Sequence, residues 1–438
     1  MFAYYLRLGW KSLRRHPALT GLIMLAVGLG VGVAMTLFSV HYTMSLDPIP
    51  HKSDQLYAVR IDSWSPEEPY NDERPEEPPW QLTYRDAMAL LESDVPLRQT
   101  AMFKSVFSVN DDAGEIKPFF VVSRMAQRDF FGMFEVPFLY GGPWNASADV
   151  NPEQVVVLSK ETNDKVFGGE DSVGQLLKLG DDYFTVTGVI DEWQPLIKYY
   201  DLNNSPMGDT EDLFMPISIT PTMELSNDGN TNCWKREDIN TYEDRLASEC
   251  IWLQFWAELP TSEMRARYQD WLAAYVNEQK KLGRLERPMN NRLDDVNAWM
   301  EVNEVVPEDL SALLGLAFLF LAVCLFNAVG LLLARFLAKA PVVALRRAVG
   351  ASKRAIFSQH LIEVALIGVG GGLVGILFAL LGLAGLRGLV SYLDQVAVLN
   401  WTLSGIAIGI AVIATLLAGI YPTWRICRVA PSSQLKTQ

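Results

Sequence analysis

ALTGLIMLAVGLGVGVAMTLFSVHYTM, residues 18–44, decides the fold. The stretch holds no Asp, Glu, Lys or Arg and is longer than the roughly 20 residues a helix needs to cross a bilayer. Residues 310–334 repeat the pattern, and further apolar stretches follow at 355–386 and 403–421. The chain therefore reads as a membrane protein with four transmembrane α-helices. Its averages, 438 residues with 50% hydrophobic content and a net charge of −14, describe an acidic soluble protein and conceal this division.

Charge separates the two parts. Residues 1–46 and 310–438 carry a net +12, with Glu363 and Asp394 as their only acids, whereas residues 47–309 carry −26. A domain this acidic excludes a basic nucleic-acid grip. The first apolar run follows Arg7, Lys11, Arg14 and Arg15 as a signal peptide would, but it is about twice the usual signal length and no small-x-small site precedes Asp47. It is read as an uncleaved span. Ahead of it, Phe2, Leu6, Gly9 and Trp10, and Leu13 recur at helical spacing opposite Arg7, Lys11 and Arg14. That spacing predicts an amphipathic helix on the membrane surface, with a merely basic flank as the alternative.

The loop after the second span contains Arg335, Lys339, Arg346, Arg347, Lys353 and Arg354 and no acid, and the tail carries Arg425, Arg428 and Lys436. By the positive-inside bias these segments and the N-terminus are cytoplasmic. The organisation is then an amphipathic helix at 1–17, spans at 18–46, 310–334, 355–386 and 403–421, a cytoplasmic loop at 335–354, a short outer loop at 387–402, and a tail at 422–438. Residues 47–309 form one large domain outside the cytoplasm. Within it Gln55–Ile61, Gln154–Leu158, Tyr183–Ile190 and Ile251–Glu258 predict strands, and 82–93, 261–282 and 292–304 predict helices, so the domain is α+β. Residues 65–79, with five prolines and six acids, and 194–248 read as irregular excursions.

Chemistry is conspicuous by what is missing from the sequence. No G-x-x-x-x-G-K-[ST] loop occurs to hold a nucleotide, no nucleophile signature is present, and the four histidines have no metal-ligand partners at the required spacing. The expectation is no catalytic residue and no metal. Gly28 and Gly32, and Gly368, Gly371, Gly372 and Gly375, lie inside spans at spacings that let helices approach closely. Cys233 and Cys250 both fall outside the cytoplasm, where an oxidising compartment permits a bridge; two free thiols are the alternative. Glu363 lies roughly 13 Å along a helix from Arg354, at a depth where an ionised carboxylate is costly unless paired. Arg335, Arg346 or Arg425 is its expected partner, with snorkelling to water as the alternative.

Lys339-Ala-Pro341-Val-Val-Ala-Leu345-Arg346-Arg347-Ala348-Val349-Gly350-Ala351-Ser352 describes a short helix with proline in its first turn, a glycine stop, and a serine capping the next helix. This basic knob suits docking to another protein. From Leu345 to Ser352, in Leu361-Ile362-Glu363 and in Gly371-Gly372-Leu-Val-Gly375, the chain closely resembles the MacB/FtsX-type permeases of ABC transporters. Leu13-Arg-Arg15-His-Pro17 resembles their opening, and Ala418-Gly419-Ile-Tyr421-Pro422-Thr-Trp424-Arg425 through Val429-Ala-Pro431 their ending. The outer domain resembles their periplasmic domain in Phe130-Phe131, Gly141-Gly142, Val155 to Ser159, Val166-Phe-Gly168, Ser172-Val-Gly174 and Thr187-Gly188-Val189. One departure is Pro341-Val-Val, where the family usually has an acid before the basic pair.

The resemblance implies a multi-pass inner-membrane permease with a MacB-like periplasmic domain and no enzymatic activity of its own. ATP and Mg would be bound by a separate cytoplasmic ABC ATPase dimer, coupled through Arg346, Arg347 and the residues to Ser352. A second permease copy, identical or homologous, a periplasmic adaptor and membrane lipid are the other implied partners. The expected role is ATP-driven mechanotransmission for export of a hydrophobic or amphipathic substrate. FtsX-like regulation of a periplasmic enzyme and LolC/LolE-like lipoprotein release are the alternatives. Nine of the twelve tryptophans lie in the acidic domain; carboxylates near exposed indole faces would suit a cationic amphipathic ligand, and the alternative, favoured on base rates, is that most of these rings are core and the acidity a solvated surface.

Overall fold

The computed structural model describes residues 2–110, 116–204, 206–389 and 401–428. Residues 390–400 of the expected outer loop, with Asp394, and the tail motif Val429–Pro431 with Lys436 lie outside the described residues. The chain forms two compact units, Met1–Leu46 with Val306–Gln438, and Asp47–Val305. Helix α1 (Phe2–Arg15) buries Gly9 and Leu13 and exposes Arg7, Lys11 and Arg14. It also exposes Leu6 and Trp10, so its apolar face is narrower on the protein side than the repeat suggests. Pro17 opens α2 (Pro17–Met44) in the first turn, where a missing N–H leaves no helical bond unmade.

The Asp47–Val305 unit runs β1 (Leu56–Arg60), β2 (Leu82–Thr83), α3 (Tyr84–Leu90), β3 (Arg98–Asn110), β4 (Phe119–Ala126), α4 (Asp129–Met133), β5 (Phe138–Gly141), β6 (Val155–Leu158), α5 (Lys160–Phe167), β7 (Leu176–Leu179), β8 (Asp182–Ile190), β9 (Leu213–Pro216), α6 (Thr220–Met223), α7 (Tyr242–Ala247), β10 (Ile251–Glu258), α8 (Ser262–Lys281), β11 (Arg292–Asp295) and α9 (Val296–Val302). The strands form one mixed sheet in the order β11-β1-β10-β3-β4-β9-β6-β8-β5, with β2 on β10 and β7 against β3 and β8. Only β4–β9 and β6–β8 pair in parallel among the described residues. All eight residues of β10 are buried, as a strand in the middle of a covered sheet requires. Thr83, Ser159, Thr241, Thr261 and Asp295 each accept a backbone N–H at a helix start, which fixes where α3, α5, α7, α8 and α9 begin.

Three expectations for this unit need correction. Residues 82–93 open with the two strand residues of β2 before α3, and 292–304 open with β11 before α9, because sheet pairing with β10 and β1 captures the first residues of each apparent helix. Residues 194–248 are not simply an excursion, since they supply β9, a fully buried strand between β4 and β6. Pro216 ends that strand after four residues, too few for a recognisable alternation. Residues 65–79 do lack regular structure, and they are tied down by Arg287, which donates to the carbonyls of Ser65 and Glu68, and by Asn290, which donates to that of Glu76.

The other unit completes four helices long and apolar enough to cross a membrane: α2, α10 (Glu308–Ala338), α12 (Lys353–Leu389) and α13 (Trp401–Cys427), with the short α11 (Ala340–Ala348) between α10 and α12. Each continues past its apolar run, because helical backbone bonding does not stop at the hydrocarbon boundary. Helix α12 packs between α2 and α13 on rows of glycine. A Cβ at Gly28 would lie 2.6 Å from Val374 Cγ1, and one at Gly32 2.5 Å from Phe378 Cβ. From the α12 side, Gly371 and Gly375 face Val27 and Val31 of α2, while Gly368 and Gly372 face Val412 and Ile408 of α13.

Candidate functional site

Helix α11 is built as the sequence prescribes. Pro341 sits in its first turn, Gly350 adopts φ +105°, and the Ser352 hydroxyl accepts the backbone N–H of Ala355 at 3.2 Å to start α12. Gly350 N–H and Ala351 N–H close the turn on the carbonyls of Arg347 and Arg346, at 3.1 and 3.0 Å. A residue with a Cβ would be strained at that φ, so the tight reversal depends on glycine. Ala340, Val343 and Ala344 are buried against the bundle, whereas Val342, Leu345 and Val349 are 53%, 57% and 82% exposed. Their spacing of three and four residues makes them one apolar row on the outward face.

The two arginines differ. Arg346 is exposed, with Nη1 donating to Gln359 Oε1 at 3.0 Å; Arg347 is half-buried, with Nη1 donating to the Cys427 carbonyl at 3.2 Å. Arg346 thus lies at the surface with a single tie to Gln359 of α12, and Arg347 holds α11 to the end of α13. Ala348 is exposed beside them.

Glu363 lies at the root of this corner and is 1% exposed. Its Oε1 is 2.7 Å from Arg335 Nη2 and 2.8 Å from Lys339 Nζ, and it accepts the Ser12 hydroxyl at 2.9 Å. His360 Nδ1 stands 3.6 Å from Oε2, one helical turn back. Of the expected partners only Arg335 is present: Arg346 points outward, and Arg425 is taken by the Tyr421 hydroxyl at 3.1 Å. Lys339, Ser12 and His360 were not anticipated. Lys339 ends α10, and Ser12 lies on the segment that sequence periodicity assigned to the membrane surface.

In the other unit Cys233 and Cys250 form a disulfide with Cα atoms 4.2 Å apart, next to a backbone bridge between Asn232 and Ile251. It staples the 194–248 segment to the start of β10. A further cluster escaped sequence analysis: Arg124 donates to both Asp201 and Glu211, Lys198 Nζ is 2.7 Å from Glu211, and the Tyr200 hydroxyl donates to Glu211 at 3.1 Å. All five side chains are buried. Burial raises the Glu211 carboxyl, but Arg124 and Lys198 outweigh it and hold the group at about 2. No periodic signal marks these residues, of which Arg124 lies on β4 and the other four in the segment between β8 and β9.

Glu211 and Lys198 form the floor of a cavity of about 960 Å³ at the end of β6 and β8, where seven carboxylates outnumber three lysines. Trp193 lines it, its ring stacked on Tyr200 at 5.4 Å. The rings otherwise follow the core alternative. Trp144, Trp252, Trp256 and Trp299 are core, and Trp64, Trp80, Trp193, Trp234 and Trp271 are half-buried, so none of the nine is fully exposed. Large aromatic rings are drawn into the sheet's core because they bury the most apolar area. Among the described residues no group of acids, histidines or cysteines has the arrangement of a metal site.

Comparison with known families gives two matches, the MacB-like periplasmic core domain over residues 20–260 and the FtsX-like permease C-terminal region over residues 314–431. A comparison with curated proteins gives no match. Solved structures similar to the chain include the periplasmic region of MacB from Actinobacillus actinomycetemcomitans, at 13% identity over 59% of this chain and 97% of that one, with a TM-score of 0.37. Another is the extracellular domain of the noncanonic ABC-type transporter YknZ from Gram-positive bacteria, at 11% identity over 55% and 100%, with a TM-score of 0.34. With one family model covering more than half of its length and a second covering the C-terminal helices, the chain belongs to the MacB/FtsX-type ABC transporter permeases and is a multi-pass membrane protein with a periplasmic domain.

Proposed function

We propose that this permease sits in the inner membrane as one of two copies and relays ATP hydrolysis by a separate cytoplasmic ABC ATPase to its periplasmic domain. ATP and Mg belong to the ATPase; this chain contributes the docking helix α11. The observation that carries the reading is the exposed row Val342, Leu345 and Val349 beside the exposed Arg346, on a helix whose other face is fixed in the bundle. Apolar anchors ringed by charge are how protein partners are held and oriented.

The substrate, in this reading, is an amphipathic molecule moved or acted on at the periplasmic face. The carboxylates that line the cavity beyond the charge-balanced Glu211 cluster support a cationic one. An adaptor in the periplasm completes an export system, and its presence separates export from enzyme regulation or lipoprotein release.

The test uses the full chain reconstituted with the ABC ATPase that co-purifies with it. Leu345→Asp together with Arg346→Glu is expected to abolish stimulation of ATP hydrolysis while leaving the melting behaviour of the chain intact. Stimulation equal to that of the unaltered permease would overturn the docking role of α11.

A further inference from the structure

We infer that Glu363 is the positioning residue that makes α1 a moving part of the relay, by clamping α1 to the root of α11. The inference rests on the reading of α11 as the docking helix, and adds an element that reading does not contain. Lys339 is the single residue joining α10 to α11. Its Nζ donates both to Glu363 Oε1 at 2.8 Å and to the Ser12 hydroxyl of α1 at 2.6 Å. The same carboxylate oxygen accepts the Ser12 hydroxyl at 2.9 Å. Arg335, near the end of α10, donates to the Ser12 carbonyl at 3.2 Å and to the Thr20 hydroxyl of α2 at 2.9 Å while it pairs with Glu363.

One carboxylate oxygen thus gathers the end of α10, the start of α11, α1 and α12. The backbones also approach here: a Cβ on Gly9 would lie 3.0 Å from Leu366 Cδ1 and 3.8 Å from Glu363 Cα. A displacement of α11 moves Lys339 first. Lys339 is bonded to Glu363 and Ser12 together, so it cannot move alone without giving up both contacts, and α1 follows. Buried ion pairs add little net stability compared with apolar packing, and their best-attested use is to fix position. A cluster with two cations on one acid, inside an otherwise apolar bundle, fits that use.

Glu363→Gln keeps the side-chain shape and removes the charge. In the full chain without ATPase, spin labels at the exposed Lys11 of α1 and Ala348 of α11 are expected to give one narrow distance distribution, and a broad one in Glu363→Gln. With the ATPase bound, the variant is expected to keep its affinity but lose stimulation of hydrolysis by about 5- to 150-fold, the range of typical coupling between sites. The pair Glu363→Gln with Lys339→Met removes the surplus charge; it restores the melting temperature but not the narrow distribution or the stimulation. Unbroadened distances in Glu363→Gln overturn the clamp whatever the ATPase does. So does full recovery of coupling in the double variant, which marks Glu363 as a stabilising group only. Failure of the unaltered permease to stimulate any ATPase strikes the docking reading instead, and leaves the clamp to be judged on the label distances.

Discussion

Glu211→Gln is the sharpest probe of how the periplasmic domain is held together. The native cluster balances two cations, Arg124 and Lys198, against two carboxylates, Asp201 and Glu211, all nearly inaccessible to water. The amide leaves one buried positive charge unmatched and turns an N–H₂ toward donors that need an acceptor. Breaking one partner of a buried pair costs about 3–5 kcal/mol. At roughly 2–4 °C per kcal/mol for a domain of this size, the melting transition should fall by about 10 °C. The effect depends on pH with a definite sign. The folded carboxyl, at about 2, lies below its unfolded value, so its stabilisation is complete above roughly pH 4.5 and is lost as pH falls toward 2. At pH 3 the native chain should already have lost part of it, narrowing the gap between the two proteins. Tryptophan fluorescence during heating reports the transition, because Trp256 donates to the Tyr200 carbonyl within the cluster at 3.2 Å. A shift below about 3 °C at pH 7, or a gap that stays constant from pH 7 to 3, would refute the assignment of this cluster as the domain's electrostatic keystone.

Three further outcomes are expected. Cys233→Ser with Cys250→Ser opens a loop with a sequence separation of 17 and should lower stability by about 3 kcal/mol on the chain-entropy estimate, read as a melting shift matched by adding reductant to the native protein. Gly32→Ala places a methyl 2.5 Å from Phe378 Cβ and should cost about 1–3 kcal/mol of overpacking, seen as earlier thermal loss of the detergent-solubilised helices. A lysine-rich amphipathic peptide should bind the full chain more tightly than its glutamate counterpart at low salt, with the preference fading as ionic strength shortens the Debye length to about 8 Å; equal binding of the two removes the acidic cavity as a selector.

The spans were legible because each is long, local and nearly free of charge, and Pro341, Gly350 and Ser352 mark α11 with residues whose geometry has few alternatives. Much of the sheet was not. Strands β3 and β4 pair from Phe103 with Met125 to Val109 with Phe119, yet their polar and apolar residues alternate only in part, because some of each face is covered by other elements. Strand β9 is too short to announce itself. Glu363 stood out as a lone acid in an apolar run, but its partners come from residues 12, 335, 339 and 360, and only one of them lay among the arginines nearest in expectation. The Arg124 cluster is wholly a product of tertiary structure.

The two buried carboxylates are alike in burial and differ in charge balance. Around Glu211 the ionic charges cancel, and the cluster presents no net field beyond its own hydrogen bonds. Around Glu363 they do not: Arg335 and Lys339 face one acid, and residues 335–354 contain no other. Because that acid points inward, it neutralises nothing on the surface, where Arg346, Lys353 and Arg354 remain exposed around the apolar row of α11. A docking partner complementary to this corner must then bring carboxylates to its rim and an apolar pocket to its centre.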